Sequence, residues 1–291
     1  MKLCLACHSQ FDHVAWNCPK CGHTPVERGG FLAFSPKLAA LSDGFDPELF
    51  SRYAELEAGN FWFVSRNALL SEVLEKHVPD PLDVLEIGCG TGFVLSALRR
   101  IYPTARLSGS DIFTEGLGVA AQRVLSAKLF QMDATAIPFA HEFDLVGAFD
   151  VLEHIDDDNL ALQQIHGALK PGGSTILTVP QHPSMWSRMD EYAHHKRRYT
   201  RAELLEKMRA AGFEVEYVTS FVSLLLPAMW ASRIQQRNAP PVEDGVDPAL
   251  RIHPVLNKAF NGVMAVERAM IRLGVTFPAG GSLLAIGRKA A

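Results

Sequence analysis

The chain predicts an α/β fold, a mostly parallel sheet with helices on both faces, preceded by a small metal-binding ribbon. Three observations predict it. Four of the five cysteines fall in two Cys-x-x-Cys pairs near the start. From residue 84 onward, apolar strand-like runs alternate with segments of helical period. The first of those runs ends in glycines at alternate positions, Gly88, Gly90 and Gly92.

The chain has 291 residues, enough for one large domain and an appendage. A hydrophobic fraction of 48% and a charged fraction of 21% are ordinary for a globular protein. The formal net charge of −4 weighs against nucleic acid as a partner. The first residues carry no secretory pattern. The longest apolar run, residues 221–231, is interrupted by Ser223 and Pro227 and falls short of the ~18 residues of a spanning helix. The expectation is a cytoplasmic chain that at most touches a membrane surface.

Cys4-x2-Cys7 and Cys18-x2-Cys21 present two thiolates each from a tight turn, and two such turns facing each other form the tetrahedral sulfur site that zinc prefers. Gly22 supplies the left-handed conformation that a knuckle needs. Phe11, Val14 and Trp16 suggest a short hairpin with its own small core between the pairs. Four cysteines close the site, so the zinc is structural and His8, His13 and His23 are solvated. Residues 1–25 are thus a zinc ribbon, and residues 26–80 a linker followed by helices. The linker covers residues 26–45. Leu49, Phe50, Tyr53 and Leu56 then fall at helical spacing, and residues 68–77 form a second amphipathic helix ended by Pro79 and Pro81.

Residues 81–291 are the main domain. Val84 to Ile87 form a buried strand, the glycines make the turn, and residues 93–101 form a helix. Glycine lets backbone approach a ligand that a Cβ would obstruct. The spacing is G-x-G-x-G, not the G-x-G-x-x-G of dinucleotide sites, and Glu86 stands two residues ahead. The second strand, residues 105–110, runs into Asp111, an acid placed to accept both hydroxyls of a ribose. The third ends in Gln131-Met132-Asp133-Ala134. The fourth, residues 143–149, leads into Asp150-Val151-Leu152-Glu153-His154. A Lys170-Pro171-Gly172-Gly173 turn precedes the fifth, residues 174–179. Cys89 reads as a small packing residue.

This ordered set resembles the class I, Rossmann-like S-adenosylmethionine-dependent methyltransferases over residues 83–218 and the last strand, 282–289. The resemblance implies a seven-stranded sheet whose last two strands, 214–219 and 282–289, form an antiparallel hairpin. It implies S-adenosylmethionine as cofactor, held by Glu86, Gly88, Gly90, Gly92, Asp111, Ile112, Asp133, Ala134 and Asp150.

Methyl transfer from a sulfonium is an in-line displacement, so the acceptor must be held close to the methyl group and relieved of its proton. The Asp150-x-x-Glu153-His154 motif is similar to that of quinone-biosynthesis O- and C-methyltransferases. In some of these an E-x-x-E-H triplet holds a divalent ion. The aspartate at the first place here is a departure that weighs against magnesium. His195-Lys196-Arg197-Arg198-Tyr199-Thr200 is similar to a stretch in bacterial methyltransferases that accompany glycan or lipid biosynthesis, as is Phe61-Trp62-Phe63 with Arg66. His195 is the expected base, its pKa depressed by the three cations that follow it, and His154 is the second acid–base residue. Trp62, Arg66, His182, Arg198 and Tyr199 are the expected substrate contacts. The plainer reading is a solvated basic loop, with Thr200 capping the helix at 201–211.

The segment 221–280 is too long for a turn and reads as a helical insertion. It either buries Leu224, Leu225, Leu226, Met229 and Trp230 as a cap or offers an apolar face to a lipid. The expected activity is methyl transfer to oxygen or carbon of a small molecule, free or linked to a lipid or glycan. One alternative is an RNA methyltransferase that docks through the ribbon. The other is a cofactor-binding module without catalysis.

Overall fold

Val84 and Leu85 are neighbours in sequence yet belong to different cores, and the same split recurs at Leu145/Val146, Ile176/Leu177 and Leu283/Leu284. A strand turns successive side chains to opposite faces. Strands apolar at both parities therefore require helices on both sides, which is the arrangement of a parallel sheet.

The computed structural model describes residues 1–38, 49–236 and 252–291. In chain order the strands are β1 (Lys2–Leu3), β2 (Gln10–Phe11), β3 (Val26–Arg28), β4 (Phe31–Ala33), β5 (Asp83–Ile87), β6 (Arg106–Asp111), β7 (Lys128–Gln131), β8 (Phe143–Phe149), β9 (Leu169–Pro180), β10 (Phe213–Phe221) and β11 (Ser282–Lys289). The helices are α1 (Leu49–Glu57), α2 (Phe61–His77), α3 (Phe93–Ile101), α4 (Thr114–Arg123), α5 (Asp158–Ala168), α6 (Arg188–Tyr192), α7 (Arg201–Ala210), α8 (Leu226–Gln236) and α9 (Pro254–Arg272).

The main sheet has the order β10-β11-β9-β8-β5-β6-β7-β4-β3. The seven expected strands run from β10 to β7, parallel except for β11, which pairs antiparallel with both β9 and β10. Their C-terminal ends share one edge, where Ile87 is level with Ser110 and Ala148, and Asp111 with Gln131. The expected Lys170–Gly173 turn lies within β9, which starts at Leu169 with a register shift against β8.

The linker reading changes. Residues 26–33 form the hairpin β3–β4, and β4 pairs in parallel with β7, extending the sheet. Residues 39–48 lie outside the described residues. The ribbon differs too. Its hairpin, β1–β2, brackets the first cysteine pair, and Val14 is almost fully exposed. Trp16 instead leaves the ribbon and meets Phe34, Phe130 and Phe139 edge-on, with centroids 4.6, 6.1 and 5.4 Å away. The Leu3 amide donates to Pro138 O at 2.9 Å, and that of Ala140 to Met1 O at 2.9 Å. The ribbon is therefore fastened to the β7–β8 connection.

Helix α2 is longer than its apolar period suggested. It begins at Phe61 because Asn60 caps it, accepting from the Trp62 amide at 2.9 Å. Thr200 caps α7 by accepting from the Glu203 amide at 3.1 Å. In the insertion, α9 packs along α2: Phe61 and Phe260 stack edge-on at 5.2 Å, and Asn257 accepts from the Phe61 amide at 2.8 Å. Leu225 and Met229 pack on the core, whereas Leu224 and Trp230 are exposed. The expected Pro/Asp linker at 239–247 lies outside the described residues. No helix among the described residues is long and apolar enough to cross a membrane.

Replacing Trp16 by alanine removes the aromatic contact that fastens the ribbon. Denaturant unfolding should show a loss of about 2–3 kcal/mol, at the lower end for a partly buried aromatic. A loss under about 0.5 kcal/mol would mean that the ribbon is merely tethered.

Candidate active site

The glycine turn sits where β5 ends. Gly88 has φ +66°, and a Cβ there would lie 2.4 Å from Val151 Cγ2, so only glycine fits against the segment after β8. Gly92 caps α3 at φ +74°, and its missing Cβ admits Ala120 of α4. Asp111, at the end of β6, closes the turn. Its Oδ2 accepts from the Gly90 amide at 2.8 Å and its Oδ1 from the Phe113 amide at 2.9 Å. Burial raises its pKa to about 6, with these amides pulling the other way.

A clamp that sequence reasoning missed holds α1 against the same turn. Both oxygens of Glu57 accept from Thr91 Oγ1, at 2.6 and 2.8 Å, and Arg123 of α4 pairs with Glu57 at 2.8 Å. Glu86 is buried, and its Oε2 has no partner. Burial pushes its carboxyl well above the usual range, and the charge of Arg66 acts against that. Gln131 braces the neighbouring strand end, donating to Ile112 O at 3.1 Å and Ser35 O at 3.0 Å. Asp133 is partly exposed and accepts from the amide and hydroxyl of Thr135 at 2.8 and 2.7 Å; Ala134 is buried beside it. An orphaned buried carboxylate, a cradle that a Cβ would fill and an acid beyond the second strand fit the methionine, linking and ribose parts of S-adenosylmethionine.

After β8, Asp150 adopts φ +57° and binds Arg66 Nη1 at 2.5 Å. Arg66 also stacks over Trp62 at 4.5 Å, one helical turn away on α2. Arg66, expected as a substrate contact, is buried and paired with Asp150. Asp150, expected at the cofactor, is engaged by Arg66.

The His195 loop folds back onto this segment, with the Lys196 amide donating to Glu153 O at 2.6 Å. The rings of His195 and His154 meet edge-on at 4.8 Å. The packed atoms around His154, then His195 and His194, hold its pKa below the ordinary range although part of the residue reaches solvent. The cations expected to act on His195 are each spent on an acid: Lys196 on Asp156 at 3.6 Å, Arg197 on Asp158 at 2.9 Å and Arg198 on Asp190 at 2.6 Å. His195 Nδ1 instead meets Asp190 Oδ1 at 3.0 Å.

Asp190 is the second residue that sequence reasoning left unassigned. It is buried in α6, and its Oδ2 accepts from the Ser187 amide at 2.9 Å in a capping box. The S-x-x-D spacing ahead of it was the available signal. Burial alone would raise its pKa; the His195 bond and the Arg198 charge outweigh that and hold it well below the carboxylate range.

Arg198 and Tyr199, expected as substrate contacts, are bonded within the fold. Both are buried, Arg198 also donating to Gln181 O at 3.0 Å and Tyr199 donating to Asp158 at 2.7 Å. His182, at φ +65°, lines a separate groove with Ser184, Met185, Leu226, Pro227 and Trp230. Arg233 of α8 reaches the His195 loop, donating to Ser187 Oγ at 2.7 Å. Cys89 is buried, where a small packing residue was expected.

The four ribbon cysteines converge as well. Cys4 and Cys21 sulfurs are 3.6 Å apart, those of Cys7 and Cys18 3.7 Å. Tetrahedral zinc with ~2.3 Å bonds sets sulfurs about 3.8 Å apart, so the set fits that ion and not a disulfide.

A doubly wound sheet with a glycine turn at its carboxyl edge defines a nucleotide-type cofactor binder. The comparisons are narrower. A family model described as a methyltransferase domain matches residues 57–218, over half of the chain, and the chain belongs to that family. It is 32% identical over 101 residues to a ubiquinone/menaquinone biosynthesis C-methyltransferase of Desulfotalea psychrophila, covering 34% of this chain and 41% of that one. It is 30% identical over 151 residues to a ubiquinone biosynthesis O-methyltransferase of Aeromonas salmonicida, covering 45% and 63%. The match thus spans about half the length of these relatives. In fold it is similar to a phosphoethanolamine N-methyltransferase of Haemonchus contortus solved with S-adenosyl-L-methionine, at TM-score 0.58 and 19% identity, covering 87% and 60%.

Ribose hydroxyls would donate to an ionised Asp111, so cofactor binding there would favour its charged form. In calorimetry, S-adenosylhomocysteine should bind most tightly above pH 6 and more weakly as the pH falls through about 6. Asp111→Ala should weaken binding at least ~10-fold. Unchanged affinity in that variant removes Asp111 from the cofactor site.

Proposed function

We propose that this chain is an S-adenosylmethionine-dependent methyltransferase acting on oxygen or acidic carbon of a small molecule. The observation that carries the reading is the convergence of the glycine turn, Asp111 and the buried Asp190–His195 pair on one sheet edge. Glu86, Gly88, Gly90, Gly92, Asp111, Ile112, Asp133 and Ala134 hold the cofactor, and Asp150 shapes its floor through Arg66. Asp190 fixes the ring of His195, which with His154 manages the acceptor proton. Positioning of the acceptor and removal of that proton are what an in-line transfer needs.

The acceptor has an apolar part. The groove between His182 and α8 is lined by Met185, Leu226, Pro227 and Trp230, and Leu224 and Ile234 are exposed beside it. These residues favour a hydrophobic or lipid-linked acceptor and a peripheral membrane contact. A quinone-pathway relative that methylates carbon and another that methylates oxygen agree with an acceptor of that character. The ribbon binds one structural zinc through Cys4, Cys7, Cys18 and Cys21.

Cofactor labelled on its methyl group, incubated with the protein and cell extract, should label the organic-soluble fraction. His195→Ala should lower the rate by about 10²–10⁴. Label confined to RNA overturns the acceptor class, and an unaltered rate in the variant overturns the role of His195.

A further inference from the structure

We propose that Arg233 of α8 is a positioning residue for His195: acting through Ser187 and Asp190, it ties the imidazole to the helix that walls the apolar groove. The tie stands on geometry, and its bearing on methyl transfer rests on the function proposed above.

Asp190 divides its two oxygens. Oδ1 meets His195 Nδ1 at 3.0 Å and accepts from Arg198 Nε at 2.6 Å. Oδ2 accepts from the Ser187 amide at 2.9 Å and faces Arg233 Nη1 at 3.9 Å. The same Nη1 donates to Ser187 Oγ at 2.7 Å. Arg233 thus engages both members of the capping box that starts α6. An ionised carboxylate only accepts, so His195 Nδ1 carries the proton in the neutral ring and Nε2 is left as the base. A turn of the Asp190 carboxylate therefore turns the base with it.

The two arginines on Asp190 come from different parts of the fold. Arg198 is buried and also donates to the carbonyl of Gln181, the residue after β9, so it belongs to the sheet. Arg233 arrives from the insertion. Helix α8 is held at its start by Glu267 of α9, whose Oε2 accepts from the Ser223 and Leu224 amides at 2.7 and 2.8 Å. Arg233 holds its second half. Leu226, Pro227 and Trp230 lie between these anchors and line the groove with His182 and Met185. Trp230 and Arg233 are one helical turn apart. An apolar chain that fills the groove presses on α8 beside Arg233, and Arg233 passes that seating to Asp190. Catalytic groups need such support, because small displacements of a base lower the rate steeply.

Arg233 also acts by charge, as one of the cations that hold Asp190 ionised. Without it, Asp190 attracts a protonated His195 more strongly, so His195 takes up its proton at higher pH. His195 is faced by Asp190 of α6, by Glu153 and His154 after β8 and, across Asp190, by Arg198 and Arg233.

The test reads the ring directly. The full chain is labelled with 15N-histidine, the His195 ring nitrogens are assigned against His195→Ala, and their titration is followed by NMR. Arg233→Gln should move the His195 midpoint upward by about 0.5–1 pH unit. Arg233→Lys, which keeps the charge, should restore it, with both variants folded by circular dichroism. Arg233→Gln should also lower methyl transfer into the organic-soluble fraction about 10-fold while S-adenosylhomocysteine affinity stays unchanged. An unmoved midpoint in Arg233→Gln overturns the tie. So does an equal shift in Arg233→Lys, which would come from a disturbed helix and not from the lost charge. An unaltered rate in Arg233→Gln overturns the positioning role. A wild-type chain that transfers no methyl group, with the midpoints behaving as stated, keeps the tie and removes only the proposed function.

Discussion

Burying acids along one edge of a sheet is the constraint on which the rest of this structure depends. Glu86, Asp111, Glu153 and Asp190 are all buried at or beyond the carboxyl ends of parallel strands. Each ionised carboxylate removed from water costs several kcal/mol unless donors or cations replace the solvent. The chain meets that cost differently at each. Asp111 takes backbone amides, Asp190 takes Ser187, His195 and Arg198, and Glu86 lies within reach of the Arg66 charge. Glu86 and Glu153 are left without a bonded partner: Oε2 of Glu86 and both carboxylate oxygens of Glu153 are buried and unpaired. Aligned this way, the acids leave fixed, oriented groups around the place where a cofactor and its acceptor would meet, which is how preorganised sites gain over water.

The amino-terminal segment serves the same edge from outside. Strand β4 covers β7, which otherwise would present unpaired backbone. The Gln131 side chain joins Ser35 to Ile112, so the segment also fixes the residue that follows Asp111. The ribbon completes this brace through Trp16 and the Leu3 amide. Its connection to the β7–β8 segment makes it part of the scaffold at the carboxyl edge of the sheet.

Much of this was legible in the sequence because it is local. Apolar runs at both parities announce strands buried on both faces, and α3 follows its apolar stripe from the first residue to the last. The Cys pairs and the glycine turn depend on spacing alone. What was not legible depends on contacts far apart in the chain. The β3 and β4 strands are three residues each and bury only Ala33 deeply, so no period marks them. Residues 196–199 read as a basic, aromatic run facing a ligand. In the fold the run splits: Lys196 is exposed, while Arg198 and Tyr199 turn inward to acids thirty or more positions away or on α6. A run of cations does not disclose which of its members has met a carboxylate. Asp190, which holds His195 only five positions away, was marked by no more than its capping box, a signal of a helix start and not of a partner for a histidine.

On this reading the glycine turn and Asp111 would place a methyl donor against the His154–His195 pair. A crystal structure of the chain with S-adenosylhomocysteine tests it most directly. The account predicts ribose hydroxyls within hydrogen-bond distance of Asp111, the thioether beside Gly88, and its open side facing the two imidazoles. A ligand bound elsewhere, or one that leaves Asp111 untouched, would contradict it.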